Sequence, residues 1–140
     1  MDQVDKNILH HLQENGRISM TELGKRVGLS IPAVKERVKR LEENGTILGY
    51  RAILNPKKVN KNVLAFILFD SKRCSEFREF CIQHPMVVEC HRLAGQYSYL
   101  VKVLADSVEN LEDFIDESML YGHPSTLINL SSPVEFKHIT

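Results

Sequence analysis

Apolar side chains recur at helical spacing in three consecutive segments of the N-terminal third of the chain. We predict a first helix over about residues 2–14, a short second helix after residue 19, and a third helix that ends at Asn44-Gly45. Each apolar set lies on one helix face, so the three helices are expected to share a core. The apolar positions are Val4, Ile8, Leu9 and Leu12 in the first segment, Leu23 and Val27 in the second, and Val34, Val38 and Leu41 in the third.

The ends of the second and third predicted helices carry residues that favour helix termini. Ser19 can cap the second helix, and Glu22, three residues further on, is spaced to close a capping box. Gly28 suits the left-handed conformation that ends a helix. Ser30 then provides a second N-cap, and Pro32 falls in the first turn of the third helix. Two short helices joined by a tight glycine turn are the pattern of a helix-turn-helix, whose second helix enters the DNA major groove.

A strand-like segment and a polar hinge follow the third helix. Residues 47–54 are apolar and β-prone, and we predict a strand pair there that forms a wing beside the third helix. Asn55-Pro56 interrupts this pattern, and the lysines at positions 57, 58 and 61 make the hinge polar. We therefore predict a winged helix-turn-helix at residues 1–50, a strand-bearing hinge at 51–61 and a second domain at 62–140.

The second domain alternates strands with helices in the order β-α-β-β-α-β. This order is the ferredoxin-like split βαβ arrangement, an α+β fold with a four-stranded antiparallel sheet and both helices on one face. Ser75 and Ser107 are predicted to cap the two helices, and Pro85 to end the first of them. The predicted strands are residues 63–69, 87–93, 98–105 and 126–136, with a turn at Gly95-Gln96-Tyr97 between the second and third.

One face of this sheet is left without a covering helix. The strand at residues 63–69 is apolar at every position, as expected of a strand that is buried on both faces. A large exposed apolar surface is unusual in a monomer. We therefore predict that a second copy of the chain covers the open face, which gives a homodimer through the 62–140 domain.

Charge is distributed unevenly along a chain whose formal net charge is zero. Residues 1–60 contain 11 Lys and Arg against 7 Asp and Glu, whereas residues 61–140 contain 7 against 11. The basic front half is therefore the part expected to meet phosphates. No apolar run is long enough to span a membrane, so we expect a cytoplasmic, nucleoid-associated protein with no membrane partner.

The third predicted helix supplies most of the candidate DNA-binding residues. Its N-terminus can hold a phosphate through free N–H groups, and its basic side chains can reach phosphates or guanine edges. Arg37 lies nearest the apolar stripe, so it either reaches DNA or bridges to the protein. The alternative for the same stretch is a solvated helical hairpin with ordinary surface lysines. The candidate residues are Ser19, Ser30, Ile31, Pro32, Ala33, Lys35, Glu36, Arg37, Lys39, Arg40 and, from the predicted wing, Arg51.

No cofactor, metal or catalytic constellation is indicated by the sequence. Cys74, Cys81 and Cys90 lack metal-ligand spacing and are interpreted as free thiols in a reducing compartment, with Cys81 packed in a core. His10 and His11 are adjacent on a helix and point in different directions, so we interpret them as ordinary helix residues. No nucleophile–base pair appears, which disfavours a small enzyme on a ferredoxin-like fold.

These features together resemble the Lrp/AsnC family, the leucine-responsive and asparagine-operon regulators also called feast/famine proteins. The resemblance covers essentially the whole chain, and the combination of motifs is what makes it specific. It implies a prokaryotic transcription regulator that binds double-stranded DNA, dimerises through its ferredoxin-like (RAM) domain and assembles into tetramers or octamers. The matching segments are VDKNILHHLQENGRIS at 4–19, LGKRVGLS at 23–30, PAVKERVKRLEENGTILGY at 32–50 and LAGQYSYLVKV at 93–103.

The resemblance also implies an amino-acid or related small-metabolite effector bound in the C-terminal domain. The family's ligand turn usually reads Gly-x-Tyr-Asp, and here Gly95 and Tyr97 match whereas Ser98 stands where the acid is common. A hydroxyl is a weaker partner than a carboxylate for an effector's ammonium group. The candidate effector residues are Gly95, Gln96, Tyr97 and Ser98 in the turn, and His123, Pro124, Ser125 and Thr126 in the loop before the last strand.

Two other interpretations stay open, and the departure at Ser98 bears only on the first. One is an effector-independent architectural protein of the same family that wraps DNA. The second is a purely ligand-binding or oligomerising protein whose DNA-binding face is vestigial, although the basic front half argues against it. Plain turn chemistry is the alternative explanation for the candidate effector residues themselves.

Overall fold

The computed structural model describes all residues 1–140, which divide into two compact units. Unit 1 contains residues 1–53 together with residues 134–140, and unit 2 contains residues 54–133. The last seven residues therefore belong to the same unit as the N-terminal helices. Each unit has a hydrophobic core of its own.

Unit 1 is built from three helices that share one core. They are α1 at Gln3–Glu14, α2 at Met20–Val27 and α3 at Ile31–Glu43. The predicted apolar stripes are confirmed as the buried faces of these helices, and burial of each large side chain contributes about 1.5–3 kcal/mol. The buried residues are Ile8, Leu9, Leu12, Leu23, Val34, Val38 and Leu41.

The helix caps in unit 1 follow the sequence prediction with one exception. The Ser19 hydroxyl accepts the N–H of Glu22 at 3.0 Å, and Ser30 caps α3 in the same way. Gly28 ends α2 with φ at 73°, in the left-handed region. The capping box predicted at Ser19 is incomplete, because the Glu22 carboxylate pairs with Arg26 one turn further on at 3.0 Å. The single-residue caps are therefore confirmed, and the reciprocal bond at Ser19 is wrong.

The prediction of a strand pair for the wing is wrong: residues 47–54 contain no strand. The segment folds back on the end of α3 instead. The Ile47 N–H donates to the Leu41 carbonyl at 2.8 Å, and the Tyr50 hydroxyl donates to the Glu42 carboxylate at 2.8 Å. Burial and the Glu42 hydrogen bond raise the pKa of Tyr50 to about 12. The hinge that follows carries a 3-10 helix at Pro56–Val59 rather than a strand.

Unit 2 contains the predicted β-α-β-β-α-β order, so the α+β ferredoxin-like fold class is confirmed. Its antiparallel sheet has the strand order β2-β3-β1-β4, and the side chains of both helices pack into one core with the sheet. Cys81 is buried in this core, as predicted. The elements are β1 at Val63–Asp70, α4 at Cys74–Gln83, β2 at Val87–Arg92, β3 at Tyr99–Ala105, α5 at Val108–Ser118 and β4 at His123–Ile128.

Two boundaries in unit 2 differ from the prediction. Helix α4 begins before Ser75, with no side-chain cap, whereas the cap at Ser107 is confirmed. Strand β4 begins and ends earlier than predicted, because it pairs with β1 from Asp70 opposite His123 to Ala65 opposite Ile128 and then leaves the sheet.

Burial alternates along β1 instead of covering both faces. Ala65, Ile67 and Phe69 are buried in the core, while the residues between them, which point to the other side of the sheet, are only half-buried. Lys102 and Glu89 form an ion pair of 3.3 Å in the neighbouring strands. The second face of the sheet is thus apolar with a small charged patch, and no helix covers it within one chain. None of the helices in the molecule has the length and apolar character needed to cross a membrane.

Candidate nucleic-acid interface and effector site

Helix α3 presents a basic face to solvent because its opposite face is committed to the core. Val34, Val38 and Leu41 fix its orientation, so the positions between them point outward. The turn that leads into α3 is tight, since a Cβ at Gly24 would lie 2.7 Å from the Leu29 carbonyl oxygen. The exposed residues are Ser30, Ile31, Pro32, Lys35, Glu36, Lys39 and Arg40, and Ala33 is half-buried.

Most of the cations on this face form no strong ion pair within the protein. Lys35 and Arg40 form no ion pair. Lys39 lies 3.7 Å from the Glu43 carboxylate, but both side chains are more than 60% exposed, so the pair contributes little. The first turn of α3 contains no acidic residue, which leaves its positive dipole end free for an anion.

Arg37 bridges to the protein, which was one of the two outcomes left open by the sequence. Its guanidinium donates to the Asp2 carboxylate at 2.5 Å and to the Asp5 carboxylate at 3.1 Å. This contact holds the pKa of Asp2 below its ordinary value, chiefly through the hydrogen bond from Arg37. Asp2 is also the N-cap of α1, where it forms a capping box with Asp5. Arg37 therefore ties α3 to the start of α1 and positions the exposed face.

The two candidate residues outside α3 occupy different settings. Ser19 is exposed, but its hydroxyl is used to cap α2. Arg51 is exposed and forms no ion pair, on an extended segment rather than on a wing strand. Lys25 is a further exposed cation without an ion pair, in the last turn of α2. The sequence signal for Lys25 was its place on the polar side of α2, away from Leu23.

The two predicted effector segments reach the same end of the sheet in unit 2. Phe69, near the end of β1, is opposite Tyr99 on one side and opposite Pro124 on the other. The turn at residues 95–98 and the start of β4 therefore flank the end of β1. The prediction that His123, Pro124, Ser125 and Thr126 form a loop is wrong, since all four belong to β4. Pro124 is tolerated there because β4 is an edge strand.

The N–H and the hydroxyl of Ser98 are both hydrogen-bonded within the protein. Its N–H donates to the Phe69 carbonyl at 2.8 Å, and its hydroxyl donates to the Ser71 carbonyl at 3.4 Å and accepts the Ser71 N–H at 3.3 Å. Gln96 and Gly95 are exposed at the tip of the turn, and Tyr97 is half-buried. Ser98 thus closes the connection between β1 and the turn, and it is not a free partner for an ammonium group.

Asp70 and Lys72 are charged groups at this site that the sequence analysis missed. Both are exposed and form no ion pair, and both line a cavity of 320 Å³ at the end of β1. Gly122 closes one wall, where an added Cβ would collide with the Asp70 carbonyl oxygen. The available sequence signal was an acid and a base directly after the apolar run at 63–69. The rest of the lining is Arg73, Met119, Leu120, Tyr121 and His123.

A helix-turn-helix with a basic outer face, joined to a ferredoxin-like domain with charged groups at one end of its sheet, defines a class of two-domain DNA-binding regulators. Comparison with known proteins identifies the family within this class. Residues 1–42 match the AsnC-type helix-turn-helix domain, and residues 62–137 match the Lrp/AsnC ligand binding domain. The chain belongs to the Lrp/AsnC family of DNA-binding transcriptional regulators, which are not enzymes.

Individual relatives cover nearly the whole chain. An uncharacterised HTH-type transcriptional regulator of Bacillus subtilis, YezC, is 54% identical over 132 residues, which span 94% of this chain and 95% of that one. The structure of LrpC from Bacillus subtilis superimposes with a TM-score of 0.92 at 33% identity, covering 97% of this chain and 99% of LrpC. A transcriptional regulator of Neisseria meningitidis, crystallised with L-methionine, has a TM-score of 0.90 at 30% identity, covering 100% and 96%.

Proposed function

We propose that the chain regulates transcription by placing α3 in the major groove of its operator, with residues 1–50 as the DNA-binding part. Lys35, Lys39 and Arg40 would contact phosphates or guanine edges, while Ile31 and Pro32 approach the bases from the N-terminal end. Arg37 holds α3 in place by its bridge to α1. The observation that carries this proposal is the capped, basic and solvent-facing side of α3. Four further candidates stay in the proposed interface because they lie in α3 or within about a dozen residues of it in the sequence. They are Ser19, Ala33, Glu36 and Arg51.

The proposed DNA-binding species is a dimer or a larger assembly, formed through residues 62–140 with 51–61 as the hinge. The apolar face of the sheet, which no helix covers, supports a partner surface in unit 2. Two copies of α3 would then read half-sites about one helical turn apart, roughly 10 bp or a multiple. Sedimentation velocity at micromolar concentration tests the assembly, and a particle with the mass of one chain would contradict it.

The proposed effector is an amino acid bound at the end of β1. Asp70 and Lys72 offer opposite charges for an ammonium and a carboxylate, and the turn at residues 95–98 and the start of β4 flank them. The regulator crystallised with L-methionine supports this class of ligand. Because Ser98 is bonded to Ser71, we assign the ammonium contact to Asp70 instead.

Calorimetric titration across the twenty amino acids tests the proposed effector site. We expect Asp70→Asn to abolish the heat of binding, whereas Asp113→Asn, a matched change at an exposed acid on α5 without an ion pair, keeps it. A parallel measurement of particle mass shows whether the ligand alters assembly. Equal binding by the two variants would remove Asp70 from the site.

An effector-independent architectural role is the second candidate function, and one observation favours it. The acid that is common in the family's ligand turn is replaced by Ser98, whose hydroxyl is already satisfied by the protein. A selection of bound fragments from a random duplex library separates the two roles. A regulator enriches a defined motif and responds to an amino acid, whereas an architectural protein enriches flexible or A·T-rich DNA without a ligand response. In either case we expect the protein to be cytoplasmic and associated with the nucleoid.

A further inference from the structure

Three side chains of metal-ligating types meet on the surface of unit 1, outside the candidate DNA-binding and effector residues. His10 and Glu14 lie one turn apart on α1, and His138 approaches them from the last residues of the chain. The imidazoles of His10 and His138 meet at an interplanar angle of 79°, with 3.1 Å between their Nδ1 atoms. The Glu14 carboxylate lies 3.6 Å from the Nε2 atom of His10. One ligand atom from each of the three residues lies within 4.8 Å of the other two.

The last residues are held against α1 by a side chain between the two helix ligands. The Gln13 side-chain carbonyl accepts the backbone N–H of Ile139 at 2.9 Å, and its amide donates to the Thr140 hydroxyl at 2.8 Å. These two bonds fix the backbone next to His138, so its ring is placed over α1. The approach of His138 to His10 is therefore built by local contacts of the chain.

We propose that His10, Glu14 and His138 form a binding site for a divalent transition-metal ion of the Zn²⁺ type. Imidazole nitrogen and carboxylate oxygen are the ligands that such ions prefer, and three protein ligands with one open position are a common zinc arrangement. Two nitrogens bound to one tetrahedral ion lie about 3.4 Å apart, given metal–nitrogen distances of about 2.0–2.1 Å. The observed 3.1 Å between Nδ1 atoms needs only a small adjustment.

The surroundings of the cluster fit an ion with an open coordination position. His10 and Glu14 each expose 49% of their side chains, so water can complete the coordination. Glu14 lies nearest the Nε2 atom of His10 and 4.0 Å from the Nδ1 atom of His11, so it must turn to reach an ion held by the Nδ1 atoms of His10 and His138. Its side chain is exposed and is not held by a Lys or Arg, which permits that rotation. Without an ion, the contact between the two Nδ1 atoms requires one imidazole to donate and the other to accept.

A bound ion would link two parts of the chain that are more than a hundred residues apart. His138 would be tied to α1, whose N-terminal end also holds Arg37 of α3. Because the unfolded chain lacks this preformed site, the ion should stabilise the folded unit by RT ln(1 + c/Kd), where c is the free ion concentration, an increment that grows with the logarithm of that concentration once the site is saturated. The ion would thus strengthen an attachment of the last residues to unit 1 that the Gln13 bonds already provide.

Calorimetric titration of the full, untagged chain with Zn²⁺ tests the proposal. We expect one saturable site per chain in the micromolar range or tighter. His138→Gln and His10→Gln should each weaken the binding at least about 10- to 100-fold, since even the loss of an outer-shell partner costs that much. Gln13→Ala keeps all three ligands but releases the last residues, so it should weaken the binding as well.

A matched control is available on β2. His91 pairs with Glu89 at 3.1 Å but has no second imidazole beside it, so His91→Gln should bind Zn²⁺ like the unmodified protein. Thermal unfolding should shift upward with Zn²⁺ in the unmodified chain and not in His138→Gln, while the two melt alike without metal. Co²⁺ absorption checks the ligands, because thiolate bands would place the ion on the cysteines instead. Saturation absent at micromolar Zn²⁺, equal affinity in His138→Gln, or thiolate bands would each overturn the proposal.

Discussion

Replacement of both Lys39 and Arg40 with Ala tests whether α3 meets DNA phosphates. Each phosphate that a protein neutralises contributes about −0.9 to the slope of log affinity against log salt concentration. Loss of two cations per chain should therefore flatten the slope by about 1.8, or by about 3.6 when two chains bind together. Over a fourfold rise in salt, the unmodified protein would therefore lose about 12-fold more affinity than the variant if one chain binds, and about 150-fold more if two chains bind together.

The structure predicts how the two positions share this effect. Arg40 forms no ion pair, whereas Lys39 must give up its contact with Glu43 to reach a phosphate. We therefore expect Arg40→Ala alone to account for at least half of the change in slope. Fluorescence anisotropy with a labelled duplex, measured from 50 to 200 mM salt, gives the slopes directly.

The control is an arginine of the same exposure on another helix. Arg78 lies on α4, is exposed and forms no ion pair, so Arg78→Ala should leave the slope unchanged. An equal decrease in Arg78→Ala would mean that the effect reflects net charge rather than a contact by α3. An unaltered slope in the double variant would refute the assignment of α3 as the DNA-binding face.

Three further predictions concern the folded units. Gly24→Ala should cost about 1–3 kcal/mol in chemical denaturation, because the new Cβ would lie 2.7 Å from a backbone carbonyl, whereas Gly49→Ala has no neighbour within 4 Å and should be neutral. Tyr99→Phe should be no less stable than the parent, since the buried hydroxyl has no hydrogen-bond partner, and a loss above about 1 kcal/mol would count against this. Asp2→Asn should lower stability at neutral pH and flatten its fall below about pH 4, because a carboxyl with a lowered pKa stabilises the fold above that range and stops doing so when protonated.

The parts of the fold set by neighbouring residues could be predicted from the sequence. Ser19, Ser30 and Ser107 cap helices by bonds that span three residues, and Gly28 ends α2 in a conformation that few other residues adopt. The buried stripes also follow from local spacing. The fold class then follows, because the order of strands and helices leaves few ways to build one sheet.

The errors arise where contacts outside the regular helix and strand spacings compete with local preference. The segment after α3 has the composition of strands, yet the bonds of Ile47 and Tyr50 to the end of α3 hold it in another conformation. The end of β4 depends on where β1 begins, since Ile128 lies opposite Ala65, and the residues after Ile128 do not reveal this pairing. Ser98 is a candidate ligand residue because of its place in the turn, but its hydroxyl is bonded to Ser71, 27 residues earlier in the chain.

The candidate sites also contain residues that local spacing could identify and residues that it could not. The outward face of α3 is fixed by its own periodicity, so its basic residues could be named from the sequence. Arg37 could not be assigned, because its partners Asp2 and Asp5 lie about thirty residues earlier. The approach of His138 to His10 joins the two ends of the chain and has no signal in either segment alone.

Because Arg37 is bonded to Asp2 and Asp5, only a few cations on α3 remain for contact with nucleic acid. A solitary subunit should therefore hold its operator briefly, and lasting occupancy should require several subunits to engage at once. We expect promoter occupancy to rise as a steep function of regulator abundance, so that a modest change in synthesis or degradation of the protein produces a large change in the output of its target gene.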